Sequence, residues 1–342
     1  MLKWYEKTDS QHDVFVAQRI RLVRNVEHCN FPARMSADEC RSLLDRMKSE
    51  FSDIKSVNGI DYNYSDLEVM GSEYRNMLHE RRIINKTMVE KTSPAGILLS
   101  EDEASGIVMN GDDHIKMHYL SCSDSLAELW DRINVMDDYV NSHFSYAYSE
   151  KYGYLTAFPT NVGTGMKASV ILHLPLLSGS KQFKTLFNEM GRFGITVKSV
   201  YAENSDNYGA LYEISNQKTL GQSEEDIIAV VTKMADQLAS SERKLRSVSL
   251  RSHRISVEDE VYKSFGVLKY ERKLTMKEAM TYLSHVRRGL LDGLISTEKP
   301  VNIFGIMMNI QPANLARSCN AEEAELDKVR AEYIRKHLPD LV

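Results

Sequence analysis

Apolar and polar positions alternate in two distinct rhythms along this chain, and the rhythm changes with position. Residues 13–22 alternate loosely and predict a strand that leads into an arginine-rich segment. Ser36-Ala37-Asp38-Glu39 has the spacing of a capping box, and helical periodicity follows it to about residue 51. Between Gly96 and Tyr119 the pattern turns to short β-leaning runs, 97–100, 106–109 and 114–118, separated by polar turns. Residues 124–142 read as an amphipathic helix whose apolar positions include Leu126, Leu129, Trp130, Ile133 and Val140. Strands return at 168–173, 196–202 and 210–215, with a helix at about 181–193 between the first two. Ser223-Glu224-Glu225-Asp226 then caps a long helix reaching about Ser247. Past residue 250 the strand pattern stops. Thr275-Met276-Lys277-Glu278 opens a helix to about Ile295, and a last helix spans about 321–338. The expected architecture is an α+β domain followed by a small all-helical domain, with the boundary near residues 248–256.

The bulk numbers narrow this further. A chain of 342 residues with 42% hydrophobic content can bury a large core. Its formal net charge of −5 argues against direct nucleic-acid binding by phosphate neutralisation. Cys29, Cys40, Cys122 and Cys319 form no Cys-x-x-Cys pair and no metal-ligand spacing with a histidine, so they read as reduced thiols of a cytoplasmic protein. The N-terminal residues contain no apolar signal core. The best apolar run, Val170–Leu177, is too short to span a bilayer and contains Pro175, so no membrane association is expected.

Four segments could carry chemistry. Arg19 and Arg21 would point the same way from a strand, and planar guanidinium forks suit polyphosphate. Taken alone, the segment reads more readily as a solvated edge strand. Asn110-Gly111-Asp112-Asp113-His114 forms a turn with two carboxylates and an imidazole, able to move protons or orient a cation, although a polar hairpin explains it too. Pro159–Gly165 is a glycine-rich loop followed by Lys167. Its backbone N–H groups could converge on an anion, but it matches neither a Walker A nor a dinucleotide fingerprint, and an ordinary loop remains open. Lys198–Glu203 ends a strand in a polar loop with Glu203 and Asp206, either a closing lid or an exposed hairpin tip.

In this order and spacing, Arg19-Ile20-Arg21, Asn110–Ile115, the Pro159-Thr160-Asn161-Val162-Gly163-Thr164-Gly165 loop and Ile214–Gly221 resemble the phosphagen kinases, and most of all their bacterial protein-arginine kinase branch. Tyr152–Thr156, Val261–Leu268 and Gln311-Pro312 resemble that branch as well. The resemblance implies a small helical N-terminal lobe (about 1–90), an antiparallel sheet flanked by helices (about 91–250), and a helical phosphoarginine-binding-like domain (251–342). It implies transfer of the γ-phosphoryl group of ATP, with Mg2+, to arginine side chains of proteins, with no protein residues assigned to a metal. Asp112 and Glu203 would be the catalytic carboxylates. The ATP-binding positions would be Ala17, Gln18, Arg19, Ile20 and Arg21; Arg82; Lys116; Lys167, Ala168, Ser169, Val170 and Ile171; and Lys198, Ser199, Val200, Tyr201, Ala202 and Glu203. Asp327, Arg330 and Ala331 match the phosphoarginine motif. Expected partners are protein substrates with exposed arginine, a Clp-type protease, a heat-shock repressor and a zinc-binding activator in proteolytic quality control and the stress response. A homodimer is compatible with the resemblance.

The departures fall at the chemistry. The family's Asn-Glu-Glu-Asp-His is Asn110-Gly111-Asp112-Asp113-His114, its reactive cysteine is Phe158, and its Ser-Ser before the paired arginines is Ala17-Gln18. Arg82 replaces a histidine. Lys116, Lys167 and Lys198 replace arginines, keeping charge and losing the fork. Leu326 replaces the leading arginine of the phosphoarginine motif. Two alternatives therefore stand beside an active kinase: a catalytically impaired scaffold, and a kinase of a free guanidino metabolite, against which the helical C-terminal domain argues.

Overall fold

The computed structural model describes residues 1–7, 13–201 and 206–342. In chain order these form β1 (Phe15–Arg24), α1 (Ala37–Glu50), α2 (Lys55–Asn58), β2 (Tyr62–Asp66), α3 (Ser72–Glu80), α4 (Lys86–Glu90), β3 (Gly96–Ser100), β4 (Ser105–Met109), β5 (Ile115–Ser121) and α5 (Leu126–His143). There follow β6 (Tyr148–Ser149), β7 (Gly153–Tyr154), β8 (Met166–His173), α6 (Lys181–Arg192), β9 (Ile195–Ser199), β10 (Leu211–Asn216) and α7 (Glu224–Tyr270). The chain ends with α8 (Met276–Leu291), α9 (Ile303–Asn309), α10 (Pro312–Cys319) and α11 (Leu326–His337). The architecture is α+β, and every element after β10 is helical. The first ninety residues carry α1 to α4 and also two strands, β1 and β2.

The chain divides into two compact units that do not follow its linear order: Met1–Trp4, Gln18–Ser169 and Ser215–Thr232 in one, Tyr5–Ala17, Val170–Ile214 and Lys233–Val342 in the other. In the first unit the strands run in the order β2-β3-β4-β5-β1, each pair antiparallel, with β8 next to β1. One face of this sheet supplies the core. Ile20, Leu22, Ile107, Met109, Ile115 and Met117 are buried there, and so are Leu129, Ile133 and Val140 of α5, which packs on β5. Capping boxes start both long helices of the unit, Ser36 with Glu39 and Ser125 with Glu128. Each satisfies two N–H groups that a helix end leaves open.

Beneath the sheet is a buried ion pair. Arg24, 1% exposed, donates from Nε to Asp137 Oδ1 (3.1 Å) and from Nη2 to Asp137 Oδ2 (2.6 Å). Its guanidinium carbon lies 3.7 Å from the ring centre of Tyr154 and 5.5 Å from that of Tyr146. Removing one partner of such a pair strands a buried charge. Asp137→Ala is therefore expected to lower stability by about 3–5 kcal/mol in chemical denaturation, and a joint replacement of Arg24 and Asp137 by apolar residues is expected to recover most of the loss. If Asp137→Ala unfolds at the parental midpoint, the pair does not contribute in this way.

In the second unit β8, β10 and β9 are neighbours in that order, α6 lies on β9, and α8 to α11 form a helical cluster. Leu283, Val286, Met307, Met308, Leu315 and Ile334 are its buried core. Glu242 of α7 is fully buried and accepts from the N–H groups of Leu176 (3.3 Å) and Leu177 (2.8 Å), which offset the burial that pushes its carboxyl up. The sequence pattern predicts that helix α7 stops near Ser247. It continues to Tyr270, broken only at His253 (φ −140°, ψ 33°), inside the stretch where the sequence pattern changes.

Candidate active site

The register of β1 on β5 decides which side chains meet. Arg21 pairs with His118 and Val23 with Lys116. Antiparallel partners share a face, and so do residues two apart, so Arg19, Arg21, Lys116 and His118 all lie on the face opposite the α5 core. On the other side of β5, Val108 of β4 is the partner of Lys116. The turn from β4 to β5 then brings its acids to the end of this cationic row. Asn110 takes a left-handed conformation (φ 53°), and its N–H closes the turn on the His114 carbonyl (2.8 Å). Its side-chain Nδ2 donates to the carbonyl of Cys40 (2.7 Å) and anchors the turn on α1.

The members of this turn have different tasks. Val26 N–H donates to His114 Nδ1 (3.0 Å), so the ring carries its proton on Nε2 and donates to the Asn30 carbonyl (2.9 Å). Burial pushes this imidazole down to about 4, and the backbone contact opposes that only in part. His114 is thus a neutral brace. Asp113 Oδ1 accepts from Asn25 Nδ2 (2.7 Å) and from Ala157 N–H (2.7 Å). Burial raises its pKa, and those two donors work against the rise. Asp112 is the less buried of the pair, and its Oδ2 accepts from Asn85 Nδ2 (2.7 Å).

Arg21, Lys116, Asp112, Asp113, Asn85 and Phe158 line one cavity of about 100 Å3, together with Val23, Gly111 and Asn161. Cations and carboxylates therefore face a shared space. Lys116 is 9% exposed, and its pKa is pushed down to about 7, first by burial and then by Arg21 and Arg19, with Asp112 and Asp113 pulling the other way. An arriving anion would restore its charge. His118 is fully buried and held neutral, far below its usual range, by burial first and then by Arg19, Lys116 and Arg21.

Of the two readings the glycine-rich loop leaves open, anion cradle or ordinary loop, its backbone hydrogen bonds fit the second. The N–H groups of Asn161, Val162 and Gly163 donate to the carbonyls of Phe158, Pro159 and Tyr154, and that of Met166 to Thr164 Oγ1. The glycines are there for close approach. A Cβ on Gly163 (φ 117°) would stand 2.5 Å from the Thr219 carbonyl, and one on Gly165 (φ 65°) would stand 2.6 Å from the Val23 carbonyl. Thr219 clamps the loop through its hydroxyl to the carbonyls of Thr160 (3.0 Å) and Val162 (2.7 Å). Asn216 holds the start of β8 through Ala168 N–H (2.9 Å) and the Met166 carbonyl (3.0 Å). The Ile214–Gly221 motif thus shapes the loop, and the loop forms a wall.

Among the described sequence-derived positions, Arg21, Lys116 and Asp112 line the cavity together. Arg19 shares their sheet face, and Gln18 lies beside it on β1. Ala17, Ile20, Ala168, Ser169, Val170 and Ile171 are buried within their strands. Arg82 sits in the turn after α3 in a left-handed conformation (φ 67°). Lys167 Nζ donates to the Asn216 carbonyl (3.3 Å). In the second unit Lys198 and Ser199 are exposed, Val200 is buried, and Tyr201 has φ 56°. Ala202 and Glu203 lie outside the described residues. Arg330 is 3% exposed and donates to the carbonyls of Leu274 (2.8 Å) and Ile310 (3.4 Å) and to Asp327 Oδ1 (2.6 Å); Ala331 is fully buried. Asn85 was not anticipated. Its sequence signal is modest: an asparagine three residues before Met88, from whose N–H it accepts as the N-cap ahead of α4.

Residues 42–245 match the family model of the ATP:guanido phosphotransferase C-terminal catalytic domain, and residues 254–341 that of the protein-arginine kinase McsB C-terminal domain. A protein-arginine kinase of Caldanaerobacter subterraneus subsp. tengcongensis is 33% identical over 328 residues, 95% of this chain and 97% of the relative. The protein-arginine kinase of Bacillus subtilis is 34% identical over 342 residues, 98% of this chain and 93% of the relative. Among solved structures, a duplicated taurocyamine kinase from Schistosoma mansoni with bound transition-state-analogue components superposes with a TM-score of 0.61 at 25% identity, over 72% of this chain and 35% of that longer one. A lombricine kinase gives 0.59 at 20% identity, over 72% of this chain and 70% of its own, which speaks for the fold alone.

Proposed function

Because the chain belongs to the ATP:guanido phosphotransferase family, in its protein-arginine kinase branch, we propose that it moves the γ-phosphoryl group of ATP onto the guanidinium of an arginine side chain in a protein. The observation that carries this reading is the one cavity in which Arg21 and Lys116 face Asp112. Such a transfer needs charge neutralisation and alignment more than covalent participation by the protein. The buried cations suit a triphosphate. The carboxylate suits a guanidinium, whose N–H edges it can accept. A guanidinium nitrogen forms the N–P bond as the bond from γ-phosphorus to the bridging oxygen breaks. That oxygen leaves on ADP with the electron pair, and the acceptor nitrogen gives up a proton, for which Asp112 is the base. Mg2+ would enter on the nucleotide's own phosphate oxygens and add neutralising charge there.

Glu203 as a second carboxylate, Lys167 and Lys198 as further phosphate contacts, and a phosphoarginine site at Asp327, Arg330 and Ala331 belong to the same proposal and rest on motif resemblance. So do cytoplasmic action, a Clp-type protease, a heat-shock repressor and a zinc-binding activator as partners, and a role in proteolytic quality control. No helix among the described residues is long and apolar enough to cross a membrane.

Incubation of the full chain with ATP, Mg2+ and an arginine-rich protein is expected to yield acid-labile phosphate on arginine, located by mass spectrometry. ATP that binds without any such product would overturn the kinase reading in favour of a scaffold. Preferential phosphorylation of free arginine would move the substrate to the metabolite class.

A further inference from the structure

Phe158 is an aromatic ring left 50% exposed on the wall of the cavity that holds Asp112. The backbone that carries it is fixed: its carbonyl accepts from Thr156 Oγ1 (2.8 Å) and from Asn161 N–H (2.9 Å), and it begins the short 3-10 turn Pro159–Asn161. A half-exposed ring on a backbone held in this way, lining the same cavity as a carboxylate, suits a flat cation. A guanidinium has donor edges for a carboxylate and weakly hydrated faces that stack on aromatic rings. The same unit contains a finished example, because Arg24 is held edge-on by Asp137 while its guanidinium carbon lies over the ring of Tyr154, 3.7 Å from its centre. Asp112 and Phe158 offer that pairing to a ligand.

We infer that Phe158 is the face-on half of the acceptor subsite, stacking on the substrate guanidinium whose edge Asp112 receives, and that it selects a guanidinium over uncharged heads of the same shape. The inference rests on the proposed phosphoryl transfer for the identity of the cation, but it is tested by binding and needs no turnover. The other flat group a phenyl ring could cover is the nucleotide base. A cavity of about 100 Å3 leaves little room for a base, and Asp112 on its lining supplies an acceptor for the edge of a guanidinium.

The test uses the full chain, titrated by calorimetry with a capped Gly-Arg-Gly peptide, its citrulline counterpart and, separately, a non-hydrolysable ATP analogue. Phe158→Leu is expected to weaken the arginine peptide roughly 3- to 20-fold, and Phe158→Trp to retain or improve binding. The citrulline peptide and the ATP analogue should be indifferent to both changes. In proton NMR, the arginine δ-methylene should move upfield on binding to the parent and lose that shift with Phe158→Leu. The inference is overturned if the parent does not bind the arginine peptide, or if Phe158→Leu binds it equally well. It is also overturned if both peptides weaken alike, as a purely steric wall would require, or if only the ATP analogue weakens, as base stacking would require. An arginine peptide that binds as expected but is never phosphorylated counts against the kinase reading and leaves the stacking role intact. Melting curves on both variants confirm folding; a half-exposed site tolerates either side chain.

Discussion

Asp112→Asn is expected to lower phosphoryl transfer about 100- to 1000-fold while nucleotide affinity stays within about threefold of the parent. The size follows from what the carboxylate does. It lines the same cavity as Arg21 and Lys116, where on the proposed reading its charge orients the guanidinium and it receives the proton that leaves as the N–P bond forms. Asparagine keeps the shape, and its side-chain oxygen can still accept from Asn85 Nδ2, so the turn should hold and the melting temperature should barely move. A secondary effect runs through Lys116, whose charged form Asp112 supports. Losing that support makes the lysine easier to neutralise, which is why a small loss of nucleotide affinity is expected. The separation of the two effects is the check: kcat from phosphoarginine formation, Kd from nucleotide titration. Equal losses in both would make Asp112 a general electrostatic prop, and an unchanged kcat would remove it from the chemistry.

What could be read in advance follows how local the physics is. The capping boxes at Ser36, Ser223 and Thr275 are settled by residues three apart, and all three appear as read, including Ser223 Oγ accepting from Asp226 N–H (3.1 Å). Strands β3, β4 and β5 announced themselves as short β-leaning runs between polar turns; β3 and β4 are buried along their whole length, and β5 is buried up to Leu120 although it carries Lys116 and His118. Strand β2 did not. Tyr62-Asn63-Tyr64-Ser65-Asp66 is a polar edge strand that exists because it pairs with Gly96–Ser100, far along the chain. The overrun of α7 past Ser247 has a similar origin. Arg251-Ser252-His253-Arg254 looks like a linker, yet the backbone absorbs the interruption at one residue and resumes the helix. In the site, paired arginines on a strand and acids on a turn were visible, since strand alternation fixes their direction. The meeting of Asp112 with Asn85 and Phe158 was not, because three separate segments have to fold to one point. The glycine-rich loop leaves two readings open for a physical reason: glycine serves an anion cradle and close backbone contact equally well, and here Val23 and Thr219 carbonyls occupy the space a side chain would need.

Lys116 offers the other large effect, and it has two signs. Lys116→Met is expected to raise the melting temperature of the nucleotide-free protein near pH 7 and to weaken ATP binding by at least about tenfold. The lysine lies between Val23 and Val108 in the sheet, where burial, Arg21 and Arg19 push its pKa to about 7. An unfolded lysine titrates near 10.4. Below about pH 7 both states are charged and the folded protein carries the full burial penalty. Between about pH 7 and 10 the unfolded chain holds a proton that the native state has released, so stability rises with pH across that window. The advantage of the Met variant should therefore be largest at about pH 6.5 and fade as the pH approaches 10. Nucleotide binding inverts the logic. Phosphate oxygens favour the charged lysine, so binding above pH 7 must take up a proton and affinity must fall, by up to about tenfold per pH unit. Calorimetry at pH 8 in buffers of different ionisation enthalpy should register that uptake in the parent and none of it in Lys116→Met. A parent whose nucleotide affinity is flat from pH 6.5 to 9, with a variant no more stable than itself, would mean that Lys116 is neither strained by its burial nor relieved by a phosphate.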